Sequence, residues 1–355
     1  MSGSRITFRQ GQDAQPAALQ RIAARVGSVL ADSDLTALHR ARRPLFTGIG
    51  ASYAALALPV EVLRRNGMDT HRVLADEIAR IPHGFDTDML IGVSQGGRSA
   101  ETLAAFEQVG SGVPTVAVLN VVPSPLYELA DLCVGLGNEP DSFASTIGFT
   151  GTIVALDLLA GAFTGREHRP DPWHDIAGRL TAVREQASTV LGPLLARAAE
   201  CVAVDAIASG TSRTSAEASA LLLREVARLP AAAFATRNHL HGEMESAGGT
   251  LHVLYGDGRE TQLARTLADA GHLSLLLTTQ DVPAGPNLAV IRLPELDCGP
   301  RSVLEVAVAQ ELAAGLAEER GLVIESFVFA NNDTKQGGLD PADFEVPASA
   351  AEGAV

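Results

Sequence analysis

Apolar and polar positions follow one recurring order along this chain: a short run that is apolar throughout, a small polar turn, then a stretch with helical periodicity. The clearest case is Met89 to Thr102, MLIGVSQGGRSAET. Met89 to Val93 is continuously apolar, as a strand covered on both faces must be. Ser94-Gln95-Gly96-Gly97-Arg98-Ser99 is small and polar, and an amphipathic helix runs on from Ala100. Before it, Pro44 to Ile49 reads as a strand, Gly50-Ala51-Ser52 as a turn, Tyr53 to Arg65 as a helix, and His71 to Leu74 as a strand. After it come strands at Thr115 to Asn120 and Leu132 to Leu136, then a polar loop, Asn138 to Ser145, entering a helix over Thr146 to Ala162. Alternating strands and helices predict a doubly wound parallel sheet, a three-layer α/β/α fold of flavodoxin type, with ligands at the carboxyl ends of the strands.

The flanks are organised around that pattern. Gln15 to Leu38 holds one or two helices, with Pro16 suited to a first helical turn, and forms an N-terminal arm. Gly165 to Trp173 is charged and proline-bearing, a linker-like break. Helices over Asp175 to Glu200 then bridge to a second unit. The chain closes with a helix over Ser302 to Arg320, a strand-like Leu322 to Phe329, and a polar tail disordered after about Ala342. The expected division is an arm (1–38), a first domain (39–165), linker helices (166–199), a second domain (200–330) and a tail (331–355).

The second domain repeats the first. Gly50-Ala51-Ser52 recurs as Gly210-Thr211-Ser212, Gly97-Arg98 as Gly258-Arg259, and Gly110 as Gly271, at a near-constant offset. The copies differ where it matters. Ser94-Gln95-Gly96 becomes Tyr255-Gly256-Asp257, and Ser99 becomes Glu260. A strand, a tight turn and a helix start hold anions, because first-turn amides lack partners and the helix dipole favours negative charge there. The hydroxyls of Ser94 and Ser99 and the Gln95 amide add donors in the first copy, and Ser52 sits at the matching corner beside it. Two carboxylates in the second copy would repel phosphate, so an anion site is expected in the first half only.

Composition narrows the functions open to such a fold. The chain has 355 residues, 46% of them hydrophobic, and a formal net charge of -15, which argues against nucleic acid or an anionic membrane as partner. No signal-like or membrane-length apolar run is present in the sequence, and a cytoplasmic protein is expected. Cys133, Cys201 and Cys298 are widely spaced and read as reduced thiols. Of the 27 basic residues, Lys335 is the one lysine. Where arginine has replaced lysine everywhere else, a surviving lysine is a candidate for a needed amine.

The second half carries different chemistry. Glu225 interrupts the apolar run of a helix over Ser215 to Leu229, as a carboxylate near the helix end, free for a site or paired with Arg228. His239-Leu240-His241-Gly242-Glu243 follows. If that segment were extended, His239, His241, Glu243 and Glu245 would share one face, but ligands two apart arise often by chance and no metal site is assigned.

GIGASY (Gly48 to Tyr53), VSQGGRSAET (Val93 to Thr102), FASTIGFT (Phe143 to Thr150), LLLREVARL (Leu221 to Leu229), HLHG (His239 to Gly242) and the lysine-bearing tail together resemble the tandem sugar-isomerase (SIS) domain family. The resemblance is greatest to the isomerase half of glucosamine-6-phosphate synthase and to amino-sugar-phosphate deaminases and deglycases. It implies two SIS domains, substrate phosphate held by Ser52, Ser94, Gln95, Gly96 and Ser99, and further contacts from Arg98, Ser145 and Thr146. It implies Glu225 as the proton shuttle, His241 as the ring-opening group lent by a neighbouring subunit of a homodimer, and Lys335 as the Schiff-base amine, with no metal or organic cofactor. No glutaminase domain precedes the motifs, so the implied direction is catabolic. The departures are Gly96 in place of a serine, Arg98 in place of an acid, and Ile147 and Leu222 in place of lysines; they bear on the substrate.

An aldose–ketose interconversion moves a proton between C1 and C2, which asks for a base of near-neutral pKa, and remote phosphate binding orients the reacting carbons. Two other readings stay open: a non-catalytic sugar-phosphate sensor, and a biosynthetic isomerase or deglycase acting on an unphosphorylated or modified sugar.

Overall fold

The computed structural model describes residues 5–81, 84–110, 112–165, 172–325, 327–329 and 331–338. The expected disorder after Ala342 and residues 166–171 of the linker-like break lie outside these. The chain divides into two compact units, Met1–His174 with Glu325–Val355, and Asp175–Ile324. Each contains one five-stranded parallel sheet flanked by helices, so the same α/β fold occurs twice.

In the first unit, helices α1 (Phe8–Asp32) and α2 (Thr36–Arg40) precede β1 (Pro44–Gly48), α3 (Ala51–Ala55), α4 (Ala57–Arg65) and β2 (His71–Leu74). Then come α5 (Ala75–Arg80), β3 (Met89–Val93), α6 (Ala100–Gln108), β4 (Thr115–Leu119), α7 (Pro125–Leu129), β5 (Leu132–Gly135) and α8 (Ile147–Phe163). The strand order is β2-β1-β3-β4-β5, and all pairs are parallel. Every residue of β1, β3 and β4 is buried, the state their unbroken apolar runs predict. Leu45, Leu90, Leu103, Phe106, Ala117 and Leu126 form one core on the α6 side.

Helix α1 starts earlier than the expected Gln15 because Thr7 and Gln10 close a capping box, each side chain accepting from the other's backbone amide. Pro16 lies inside the helix rather than in its first turn. The arm is part of the unit: α1 packs along α8, and Gln15 donates to the Thr146 carbonyl and the Thr150 hydroxyl at 3.1 Å each.

The second unit opens with α9 (Ile176–Ala199), one continuous helix that packs on the last helix of its own unit. The expected linker helices are thus part of the second unit, because α9 carries a buried stripe of Leu180, Val183, Ala187, Leu191 and Leu194. It is followed by β6 (Ala203–Ala208), α10 (Arg213–Glu225), β7 (Ala231–Ala235), α11 (Thr236–His239), β8 (Thr250–Tyr255), α12 (Arg259–Asp269), β9 (Ser274–Thr278), β10 (Leu288–Arg292) and α13 (Cys298–Glu319). The order β10-β9-β8-β6-β7 is the first sheet's order read from the other edge. Gly50 and Gly210, at the same corner of the two copies, share a φ of 59°.

The expected strand over Leu322 to Phe329 is not formed among the described residues of that stretch. The segment returns to the first unit instead: Glu325 accepts the Phe8 amide at the start of α1, and Phe327 meets Phe143 edge-on at 3.9 Å. Among the described residues, no helix is long and apolar enough to cross a membrane.

Candidate functional site

The first sheet reverses direction between β1 and β3. Chain leaving β1 crosses to one neighbour and chain leaving β3 to the other, which opens a crevice at their carboxyl ends. Ser52 follows β1, and Ser94 to Ser99 follows β3, so topology alone brings these two corners together.

The β3–α6 corner is a tight turn in which the Gly97 amide donates to the Ser94 carbonyl at 2.9 Å. Gly97 has a φ of 62°, and a Cβ there would stand 2.1 Å from Ser124 Oγ, so both backbone and space demand glycine. The backbone amides of Gln95, Gly96 and Arg98 have no hydrogen-bond partner among the described residues. Gly96 is exposed, with nothing within 4 Å of a Cβ built on it. Unpaired amides ahead of a helix start are what an anion site requires.

The two serines of this corner are more committed than their sequence spacing implies. Ser99 is the N-cap of α6: its Oγ accepts from the Thr102 amide (3.4 Å) and hydroxyl (3.1 Å) and donates to Glu101 Oε2 (3.0 Å). Ser94 Oγ accepts the Ser99 amide at 3.4 Å, and the two residues are 5% and 8% exposed. The Ser99 hydroxyl therefore already serves as a cap, and an incoming phosphate must compete with Glu101 for its proton.

The Gln95 side chain is held by a carboxylate. Its Nε2 donates to Asp141 Oδ2 at 2.6 Å. Asp141 also accepts from the Ser145 hydroxyl (2.6 Å), the Thr146 amide (2.9 Å) and hydroxyl (3.0 Å), and the Ile147 amide (2.9 Å). The anion position at the start of α8 thus holds the protein's own Asp141, and Ser145 and Thr146, expected as substrate contacts, are hydrogen-bonded to it. Gly148 permits this knot, since a Cβ there would lie 2.1 Å from Gln95 Nε2 and 2.5 Å from Asp141 Oδ2.

Arg98 holds the tail. Its Nε and Nη2 donate to the Gln336 carbonyl at 3.1 and 2.7 Å, and Nη2 also reaches the Gly338 carbonyl at 3.1 Å. The Gln336 amide returns a bond to the Arg98 carbonyl at 2.9 Å, and Ser99 and Lys335 form an antiparallel bridge. The lone lysine is thereby fixed, backbone first, against the β3–α6 loop, with its side chain exposed. Arg98, expected as a substrate contact, also straps the lysine-bearing tail to this loop.

In the second unit the matching corner is closed. Glu260, which stands where the first copy has Ser99, is buried, and its Oε1 accepts from the hydroxyls of Ser209 (2.8 Å) and Thr236. A Cβ on Gly256 would stand 2.6 Å from Glu260 Oε2. Burial would raise the pKa of Asp257, but the Arg301 guanidinium, the Thr279 amide and the Thr278 hydroxyl bring it down to about 2. The second cradle is filled by its own side chain, and the Asp257 charge is balanced by Arg301 rather than left to repel a ligand.

Glu225 is the last residue of α10 and half-buried. It has no ion-pair or hydrogen-bond partner among the described residues, and burial alone raises its pKa to about 7. The weighed pairing with Arg228 is not made; Arg228 instead reaches the Val323 carbonyl. His241 is exposed in the turn after α11, its amide donating to the Asn238 carbonyl at 2.8 Å. The segment after β7 is helix and turn, not strand, so His239 is buried while His241, Glu243 and Glu245 face solvent, and the alternating ligand face weighed for them does not form.

Residues 37–162 match the SIS domain. A search of curated protein sequences finds no match to this chain. Among solved structures, tagatose-6-phosphate ketose/aldose isomerase from Escherichia coli superposes with a TM-score of 0.76 at 18% identity, over 91% of this chain and 96% of that one. The C-terminal domain of glucosamine-fructose-6-phosphate aminotransferase from Francisella tularensis gives 0.75 at 17% identity, over 88% and 96%. Glucosamine-6-phosphate deaminase from Thermotoga maritima gives 0.65 at 18% identity, over 86% and 95%. Likeness at this identity is a likeness of fold.

Within residues 37–162 and the tail strapped to them, the structure brings together Ser94, Gln95, Gly96, Arg98, Ser99 and Lys335. Glu225 and His241 stand in the second copy of the fold. Asp141 is the residue whose role the sequence reading missed; an aspartate shortly before Ser145-Thr146 and an apolar helix is a capping signal that was there to use.

Proposed function

We propose that this chain is a phosphosugar aldose–ketose isomerase or deaminase acting on an amino-sugar phosphate of the glucosamine-6-phosphate kind. The observation that carries this reading is Glu225, a carboxyl group without a charged partner whose burial sets its pKa at about 7. A general base works best when its pKa lies near the operating pH, and a buried carboxylate kept unpaired costs stability that only chemistry repays. The unpaired amides of Gln95, Gly96 and Arg98, with the Ser52 and Ser94 hydroxyls, bind the sugar's phosphate. His241 moves the proton between ring oxygen and anomeric hydroxyl, lent across a homodimer. Glu225 carries the proton from C2 to C1 of the open-chain amino aldose, turning the C1 aldehyde into a hydroxymethyl group and C2 into an imine. The Lys335 amine adds to C2 and expels ammonia, and water then hydrolyses the lysine imine to the ketose and frees the lysine. A sensor without turnover has no use for Glu225 in this state.

One observation favours the reading of an unphosphorylated or modified sugar: Glu101 already accepts from Ser99, at the position a phosphate would take. The test is a panel of amino-sugar phosphates and their unphosphorylated forms, assayed for ketose formation and ammonia release. Turnover of phosphorylated members, inhibited competitively by inorganic phosphate, supports the proposal. Turnover of unphosphorylated members alone, indifferent to phosphate, overturns it in favour of the second reading.

A further inference from the structure

Three buried side chains of the second unit converge without a role in the chemistry above. Asp205, within β6, and His252, within β8, are register partners on adjacent parallel strands. His239 closes α11. One potential ligand atom from each lies within 4.8 Å of the other two, the one such cluster among the described residues. Both histidines are fully buried, and none of their four ring nitrogens has a hydrogen-bond partner. His252 Nδ1 comes to 3.4 Å from Asp205 Oδ2 without hydrogen-bond alignment.

Buried polar atoms are nearly always paired, because leaving one unpaired forfeits its hydration with nothing in return. A proton placed on His252 would answer to Asp205, yet the nitrogens of His239 would stay as they are. A metal ion answers to both rings and the carboxylate at once. Bonds of ~2.1 Å at tetrahedral angles put neighbouring ligand atoms ~3.4 Å apart, the spacing already present between His252 and Asp205. Two imidazoles and one carboxylate, with no thiolate among them, form a donor set of the zinc class. Asp205, whose side chain keeps 11% exposure, supplies the way in.

We propose that Asp205, His239 and His252 bind one zinc-class divalent cation, with water completing its coordination. The ion ties β6 and β8 to α11 and so fixes the root of the turn that carries His241. Binding there is independent of the isomerase reading, since neither Glu225 nor Lys335 takes part.

The test uses the full chain, stripped with chelator, dialysed, and titrated with Co2+ alone. The expected result is one equivalent bound per chain, with visible d–d absorption of a four- or five-coordinate ion, no thiolate charge-transfer band, and displacement by Zn2+. Asp205→Asn and His252→Gln should each weaken binding more than about tenfold. His272→Gln should leave it unchanged, although that ring lies 6.0 Å from His252. Should a variant not fold by circular dichroism, a rise in wild-type melting temperature with one equivalent of Zn2+ supplies the second measurement. No d–d absorption together with no thermal shift in the wild type overturns the proposal, as does a cobalt spectrum undiminished in the folded Asp205 and His252 variants.

Discussion

Replacing Glu225 by glutamine is expected to stabilise the protein while removing its activity, and the size of the gain follows from the burial of that carboxyl. Its folded-state pKa is about 7 against an ordinary 4.5. The folded state therefore holds its proton at pH values where the unfolded chain has released it. Below pH 4.5 both states are neutral at this position and the group costs nothing. Between 4.5 and 7 the folded carboxyl stays protonated while the unfolded one ionises, and stability falls with rising pH. Above 7 the full deficit is present. At 1.36 kcal/mol per pKa unit it amounts to about 3 kcal/mol. Glutamine fills the same space without a charge to desolvate, so Glu225→Gln should match the wild type near pH 4.5 and exceed it by about 3 kcal/mol at pH 8. Urea unfolding of the two proteins at both pH values measures this, with ketose formation assayed in parallel. Equal stability at pH 8 would mean that Glu225 is paired or hydrated, and a variant that retained turnover would remove it from the proton transfer.

Arg98→Ala should release the tail, because three charge-assisted hydrogen bonds to the Gln336 and Gly338 carbonyls are lost; amide exchange at residues 335–338 should quicken and turnover fall, and protection equal to wild type would refute the strap. Arg98→Lys should not restore it, since an ammonium lacks the planar fork. Ser94→Ala should weaken phosphosugar binding by about 1 to 3 kcal/mol, read by calorimetry, and unchanged affinity would move the phosphate elsewhere. Borohydride added during turnover should trap the sugar on Lys335, found by peptide mass spectrometry; full activity in Lys335→Ala would contradict its role.

The parts of this molecule that could be read from sequence are those that local chemistry decides. Strand β3 and the loop after it were legible because five apolar residues, two glycines and a capping serine each have one comfortable conformation in that order. The duplication was legible because both copies need glycine at the same corner, Gly50 and Gly210. What escaped was settled by partners far along the chain. Asp141 holds the side chains of Gln95, Ser145 and Thr146, and nothing local to Gln95 announces a carboxylate 46 residues away. The tail's return to Arg98 spans 238 residues. Glu260 filling the second cradle depends on Ser209 and Thr236, each from a different strand end. His239 looked like half of an alternating ligand pair with His241 until the local helix turned one inward and the other out.

The central claim, that this chain moves a proton between C1 and C2 of a phosphosugar through Glu225, is tested most directly by proton NMR in D2O. Incubation of glucosamine-6-phosphate, fructose-6-phosphate and their epimers with the wild-type protein should wash solvent deuterium into C1 or C2 of at least one of them, and Glu225→Gln should abolish that exchange while leaving the sugar bound. Deuterium incorporation at the same rate in Glu225→Gln, or none with any phosphosugar in the wild type, would contradict it.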